Sequence, residues 1–357
     1  MKARLAERPS KAIHVLSLPL VTVDPQCSES GTLALAGSLC LPGAEVIVDD
    51  ALLLSVVYAV RRSHSAVCQK VCFLMSTAIL LVDCPDRKGI VAAIADFLYG
   101  NNANIVHADQ HQDNITNRFL MRVEWDLSDF ALDLAHFEAA FAPIATRFAM
   151  NWRLALAAVR PKLAIFVSQY DHCLADLLYR RHSGELACDI ALIISNHETG
   201  KLLADFYGIP FHLLPVSKTN KPDVERQQIA LVHDHQIDLI VLARYMQILS
   251  PEFVAQFPQR IINVHHSFLP AFSGARPYQR AFERGVKLIG ATSHYVTEVL
   301  DEGPIIEQDV IRVSHRDQLS DLVEKGRDLE KMVLSRAVRW HIEHRVLLYN
   351  QKTIIFD

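Results

Sequence analysis

The chain has 357 residues, 50% of them hydrophobic and 21% charged, with a formal net charge of -4. That length and balance suit a globular protein of two domains, and the charge leaves no electrostatic footprint for nucleic acid or an anionic membrane. The seven cysteines, Cys27, Cys40, Cys68, Cys72, Cys84, Cys173 and Cys188, are odd in number and scattered, which indicates reduced thiols in a cytoplasmic protein and no disulfide framework.

Residues 1–74 mix Ser, Pro and small apolar side chains without a sustained period. Their longest apolar run, Ala51–Val60, is too short to span a bilayer and too far from the start for a secretory signal. Acidic residues such as Glu7, Asp24, Glu29 and Glu45 argue against a transit peptide. The expectation is a poorly structured extension, or a stretch upstream of a natural start at Met75. Cys68 and Cys72 could share a helix face, but no second pair completes a zinc site.

From Ser76 the pattern changes. Thr77–Val82 predicts a strand, closed by Asp83-Cys84-Pro85-Asp86-Arg87-Lys88-Gly89. Ile90, Ile94, Phe97 and Leu98 recur at helical spacing up to Gly100. Asn104–Asp109 and Phe119–Trp125 predict two strands around a polar turn. Leu132, Phe137, Ala140 and Phe141 predict a second helix ended by Pro143, and Ala145–Leu154 a fourth strand. The order is βαββαβ, a ferredoxin-like arrangement over 75–157.

The 83–90 turn resembles that of an ACT domain, a module that binds amino acids between copies of a chain. The resemblance implies a homo-oligomer, an amino-acid effector such as glycine or methionine, and an effector site at Asp86 and Gly89. Physically, Gly89 opens a helix whose free N–H groups suit a carboxylate. The same residues also suffice for a tight turn without a ligand.

Arg160-Pro161-Lys162 marks the boundary to a second domain, 158–357. Strands are predicted at Leu163–Val167, Ala191–Ser195, Phe211–Leu214 and Asp238–Ala243. Helices are predicted at Asp171–Tyr179, His197–Tyr207, Val224–His233 and Pro251–Phe257. Apolar strands alternating with helices mean a mostly parallel, Rossmann-like sheet covered on both faces. A last helix over Ser320–Tyr349 turns Leu322, Leu329, Val333 and Ala337 towards the body.

The chemistry concentrates in Ile261–Pro304. Ile261–His265 predicts a strand with Asn263 and His265 on one face, since strand side chains alternate. Pro270, Gly274 and Pro277 then force a loop, and Gly290–Val296 forms another strand before the acidic turn Leu300-Asp301-Glu302-Gly303-Pro304. Strand ends followed by loops are where open α/β sheets hold their sites.

The Ile262–Phe272, Gly290–Tyr295 and Asp301–Ile306 segments resemble the catalytic segments of the folate-dependent formyltransferase family. The likeness spans roughly 160–345. It implies catalytic Asn263, His265 and Asp301, and a folate pocket at Leu242–Leu249 with Arg244, Tyr245, Met246 and Ile248. The substrate it implies is 10-formyltetrahydrofolate; His266 and His294 are candidates to contact it or else pack behind the catalytic residues, and Arg276 either meets the glutamate tail of the folate or braces its loop. It implies no cofactor and no metal. Charge growing on a formyl oxygen needs donors such as an amide and an imidazole. Asp301 is the acid–base candidate, or else it orients the water and holds His265 protonated.

Formyltransferases that act on ribonucleotides have a Gly-Ser-rich loop after the first strand that cradles phosphate. Here that turn is Ser168-Gln169-Tyr170-Asp171-His172-Cys173-Leu174, with no glycine and with an acid. Asp171 would repel phosphate, and it also suits a helix N-cap. Water is therefore the expected acceptor, giving tetrahydrofolate and formate and so feeding purine synthesis and balancing one-carbon pools. The alternatives are transfer to an amine held elsewhere, or an inactive amino-acid-binding regulator.

Overall fold

The computed structural model describes residues 77–271 and 276–356. The expectations for residues 1–74, Met75, Cys68 and Cys72 lie outside these. Cys84, Cys173 and Cys188 are free and buried. Among the described residues no helix is long and apolar enough to cross a membrane.

The first sheet holds β1 (Thr77–Pro85), β2 (Asn104–Asp113), β3 (Arg118–Asp126) and β4 (Asn151–Leu156) in the order β2-β3-β1-β4. Helices α1 (Ile90–Gly100) and α2 (Phe137–Phe148) complete the βαββαβ order. Period two divides β1 between two cores. Ala78, Leu80 and Val82 pack with Ile94, Trp125 and Phe141 under the helices, whereas Ile79 and Leu81 pack with Leu347, Tyr349 and Phe356.

Two expectations fail here. Helix α2 does not end at Pro143 but runs to Phe148, so 145–148 is helix and the fourth strand begins only at Asn151. Proline removes one hydrogen bond, to the carbonyl of Ala139, which is exposed. Phe137, Phe141, Ala145 and Phe148 keep one buried face across the break. The last helix is also shorter than expected. It is followed by a hairpin of β12 (Val346–Tyr349) and β13 (Lys352–Ile355), whose turn residues Asn350 and Gln351 both have positive φ, as a tight two-residue turn demands.

The second sheet has the order β11-β10-β9-β8-β5-β6-β7. Its strands β5 (Lys162–Val167), β6 (Asp189–Ser195), β7 (Phe211–Leu213), β8 (Leu239–Ala243) and β9 (Ile261–His265) run parallel. Strands β10 (Leu288–Tyr295) and β11 (Ile305–Arg312) add an antiparallel edge, and β11 was not foreseen as a strand. Helices α3 (His172–His182), α4 (Lys201–Tyr207), α5 (Lys221–Asp234), α6 (Pro251–Gln256), α7 (Pro277–Arg284) and α8 (Leu319–Ile342) cover it. Leu322, Leu329, Val333 and Ala337 of α8 are buried, as its periodicity predicts.

The C-terminal end of α8 meets the first sheet. Arg122 of β3 donates to the carbonyl of His344 at 3.2 Å, and Tyr349 donates to Asp113 at 2.9 Å. Tyr295 donates to Nδ1 of His341 at 2.7 Å when that imidazole is neutral. Burial first, then the charge of Arg153, pushes His341 down to about 3 and His344 down to about 4.

In the unfolded chain both groups titrate near 6.5. Between the folded and unfolded values the unfolded chain therefore binds more protons, so this stability is complete above about pH 6.5 and is lost as pH falls. Melting temperature is expected to drop from about pH 7 to about pH 5, and His344→Gln to flatten part of that slope. A slope unchanged in the variant would rule His344 out as a source.

Candidate active site

Asn263 and His265 stand at the carboxyl end of β9, beside β10 on one side and β8 on the other. Both line one cavity of about 810 Å³, together with His294, Asp301, Arg244 and His266. That is a suitable size for a small-molecule site.

The hydrogen bonds orient the first pair. His294 Nδ1 lies 3.0 Å from the carbonyl oxygen of Tyr295, which can only accept, so Nδ1 carries the proton. Burial pushes the His294 pKa down, against its hydrogen bond to Tyr295 and the charge of Asp301, so the ring is neutral and Nε2 bears a lone pair. Nδ2 of Asn263 donates to that Nε2 at 3.1 Å. The amide is thereby fixed, with a second N–H free to point elsewhere.

The second pair is His265 with Asp301. His265 Nδ1 is 3.2 Å from Oδ1 of Asp301, and His265 Nε2 is buried without a partner. Burial works to raise the Asp301 pKa, but the hydrogen bond from His265 outweighs it and holds the carboxyl below its usual value. Asp301 adopts a left-handed φ of 58°, a conformation uncommon outside glycine. Behind it, the amide of Tyr295 donates to the carbonyl of Pro304 at 2.9 Å, which ties the acidic turn to β10.

His266 packs its ring 5.2 Å from that of His265 and 5.9 Å from that of Tyr278. Burial first, then the guanidinium of Arg244, pushes His266 down to about 3, so it is neutral. Met246 and Ile248 are 52% and 61% exposed on the cavity wall, an apolar face with nothing packed on it, whereas Tyr245 is buried and its hydroxyl accepts from Gln228 at 2.8 Å. Arg276 lines the cavity as an exposed side chain at the start of α7.

The comparisons with known proteins bear on this site. A formyl transferase family model matches residues 161–338 and an ACT domain model matches residues 78–141. A formyltetrahydrofolate deformylase of Synechocystis sp. is 57% identical over 280 residues, covering 78% of this chain and 98% of the relative. The chain belongs to the formyltetrahydrofolate deformylase family. A crystal structure of a deformylase from Pseudomonas syringae pv. tomato superposes with a TM-score of 0.78 at 46% identity, covering 86% of this chain and 100% of that one. A glycinamide ribonucleotide transformylase from Symbiobacterium toebii superposes with a TM-score of 0.53 at 29% identity, covering 56% of this chain and 95% of that one.

Asn263, His265, His266, His294, Asp301, Arg244, Tyr245, Met246, Ile248 and Arg276 thus all border the one cavity in this member of the deformylase family. Asp86 and Gly89 lie apart from it in the β1–α1 turn. Asp86 accepts from Gln112 at 2.5 Å, and Gly89 caps α1 with φ 93°. The first turn of α1 has no side-chain cap.

One buried cluster escaped the sequence reading. Glu330 of α8 is fully buried and accepts from His172 Nε2 at 2.7 Å and from the hydroxyl of Tyr278 at 2.6 Å. Burial alone would raise the Glu330 pKa, yet the bonds and charges of His172, Arg244 and Tyr278 hold it down. Its signal was an acid one step from Leu329 and three from Val333, on the apolar face of the helix. His172, Cys173 and Glu330 have potential ligand atoms within 4.8 Å of one another. Within that grouping His172 Nε2 and Glu330 Oε2 are in direct contact at 2.7 Å, and burial pushes the Cys173 thiol well up.

Proposed function

We propose that this protein hydrolyses 10-formyltetrahydrofolate to tetrahydrofolate and formate. The carrying observation is the convergence of Asn263, His265 and Asp301 on one cavity with an apolar wall, in a chain of the deformylase family. In this reading Met246 and Ile248 receive the flat pterin. Water bonds to the formyl carbon, charge gathers on the formyl oxygen, the carbon–N10 bond breaks, and N10 takes a proton.

The free N–H of Asn263 is suited to the growing oxyanion. A carboxylate held below its usual pKa is a poor proton acceptor, so Asp301 better serves to orient His265 through Nδ1. Nε2 of His265 then takes the proton of water and passes one to N10. Water and the folate are the only reactants required, so the reading calls for no cofactor or metal. The formate would feed purine synthesis and balance one-carbon pools.

The full chain incubated with 10-formyltetrahydrofolate is expected to release formate and tetrahydrofolate in equal amounts. With glycinamide ribonucleotide added, no formylated ribonucleotide is expected. Absence of formate, or formyl transfer to the ribonucleotide, would sink the reading.

We propose also that the chain acts as a homo-oligomer whose ACT module takes an amino acid such as glycine or methionine. The first turn of α1 after Gly89, whose N–H groups have no side-chain cap, supports a carboxylate ligand there. A change in turnover as either amino acid is titrated is the expected sign. Equal turnover throughout both titrations counts against that effector.

A further inference from the structure

Hydrolysis turns a neutral formyl group into formate, an anion. A cation beside the reacting atoms therefore meets an opposite charge only once water has added to the carbon. Three arginines line the cavity among the described residues. Arg276 and Arg327 are exposed, whereas Arg244 is 9% exposed.

Arg244 stands close to the reacting pair. Leu242 pairs with Asn263 in the parallel register of β8 and β9. Arg244 comes two residues after Leu242, as His265 comes two after Asn263. Contacts run from His265 to Arg244 without a break. The ring of His265 lies 5.2 Å from that of His266, which lies 5.9 Å from that of Tyr278. The hydroxyl of Tyr278 donates to Glu330 at 2.6 Å, and Oε2 of Glu330 stands 3.4 Å from Nε of Arg244.

The guanidinium is held but not satisfied. Its carbon lies 5.4 Å from the ring centroid of Tyr170, a favourable place for a cation. Oε2 of Glu330 already accepts from His172 at 2.7 Å, and its approach to Nε is an ion pair without a hydrogen bond. Nε and Nη1 of Arg244 are both buried with no hydrogen-bond partner. Buried donors nearly always have an acceptor, so an orphan on a cavity wall marks the place of one that arrives with a ligand. The backbone agrees. Arg244 has a φ of 61°, a strained conformation for a residue with a Cβ, and such strain gathers at ligand sites.

We infer that Arg244 is a formate site, whose unpartnered N–H groups receive the carboxylate that the reaction releases. The role of formate as product rests on the hydrolytic reading above. A guanidinium and a carboxylate form short, charge-assisted hydrogen bonds, which a neutral formyl oxygen cannot match. The glutamate carboxylates of a folate offer the same chemistry, and the experiment separates the two sources.

The resting full-length chain is titrated with formate, with sodium chloride holding the ionic strength, and binding is read from the line width of the formate proton resonance. Turnover of 10-formyltetrahydrofolate is followed in parallel at rising formate. The parent protein is expected to bind formate and to be inhibited by it. In Arg244→Asn, whose side chain tolerates the left-handed φ, the dissociation and inhibition constants for formate are both expected to rise at least about tenfold. Arg244→Lys keeps the charge without the planar fork and should weaken formate in the same direction, which covers the case in which asparagine loosens the strand end.

No binding by the parent, or equal binding by parent and variants, overturns the inference. So does a raised KM for 10-formyltetrahydrofolate with formate binding unaltered, because the guanidinium would then hold the folate's own carboxylates. A lowered kcat with formate binding unaltered overturns it as well, since the arginine would then serve the formyl step alone. A parent protein that binds formate through Arg244 yet releases none from 10-formyltetrahydrofolate sinks the hydrolytic reading and leaves the formate site standing.

Discussion

Asn263→Ala is expected to lower kcat by about a hundredfold to a thousandfold, the loss of roughly 3–4 kcal/mol that follows removal of one oxyanion donor. KM should change little, because the amide's contribution grows only as charge develops on the formyl oxygen. The geometry adds a second expectation. Asn263 is oriented by neutral His294, whose Nδ1 proton is committed to the Tyr295 carbonyl at 3.0 Å. His294→Ala should thus lower kcat in the same direction while leaving all of the Asn263 side chain in place. Steady-state kinetics of both single variants and the double variant decide this. If His294 works through Asn263, the double variant loses no more than Asn263→Ala alone. Normal turnover in Asn263→Ala would remove the amide from the mechanism. Normal turnover in His265→Ala would remove the imidazole, whose buried, partnerless Nε2 is the other group suited to the water.

Gly303→Ala is expected to disable the site through the backbone. A Cβ at position 303 would lie 1.7 Å from the carbonyl oxygen of Tyr295 and 3.3 Å from Nδ1 of His294. Neither contact is with the free end of a flexible side chain, so β10 or the acidic turn must move. The turn carries Asp301, and the Tyr295 carbonyl sets the tautomer of His294, so both catalytic pairs lose their registration together. The strain should cost about 3 kcal/mol or more in stability. Thermal unfolding and kcat measured on the same preparation check this: a variant with parental melting temperature and turnover would show that the turn relaxes freely.

The alternation of Asn263 and His265 on an apolar strand, and the return of Asp301 after Gly290–Tyr295, were legible because strand period and strand-end loops are local properties. The two α/β layers were legible for the same reason, as helical and strand periods alternate along the chain in order. Local rules failed where burial overrode them. Pro143 sits inside a helix because Phe137, Phe141, Ala145 and Phe148 share one buried face. The strand Val346–Tyr349 looked like more helix because nothing nearby reveals that the first sheet has a second face for Leu347, Tyr349 and Phe356 to cover.

The linear order of residues by itself determined most of the elements, the family resemblance and the three polar side chains on which the proposed chemistry rests. Only the tertiary structure decided that His294 orients Asn263, that Glu330 of α8 meets Tyr278, His172 and Arg244, and that Gly303 must lack a side chain. These are contacts between segments 31 to 158 residues apart in the chain, or backbone approaches across a turn. Hydrogen-bond partners and steric room are set by distance in space, and periodicity carries no information about either.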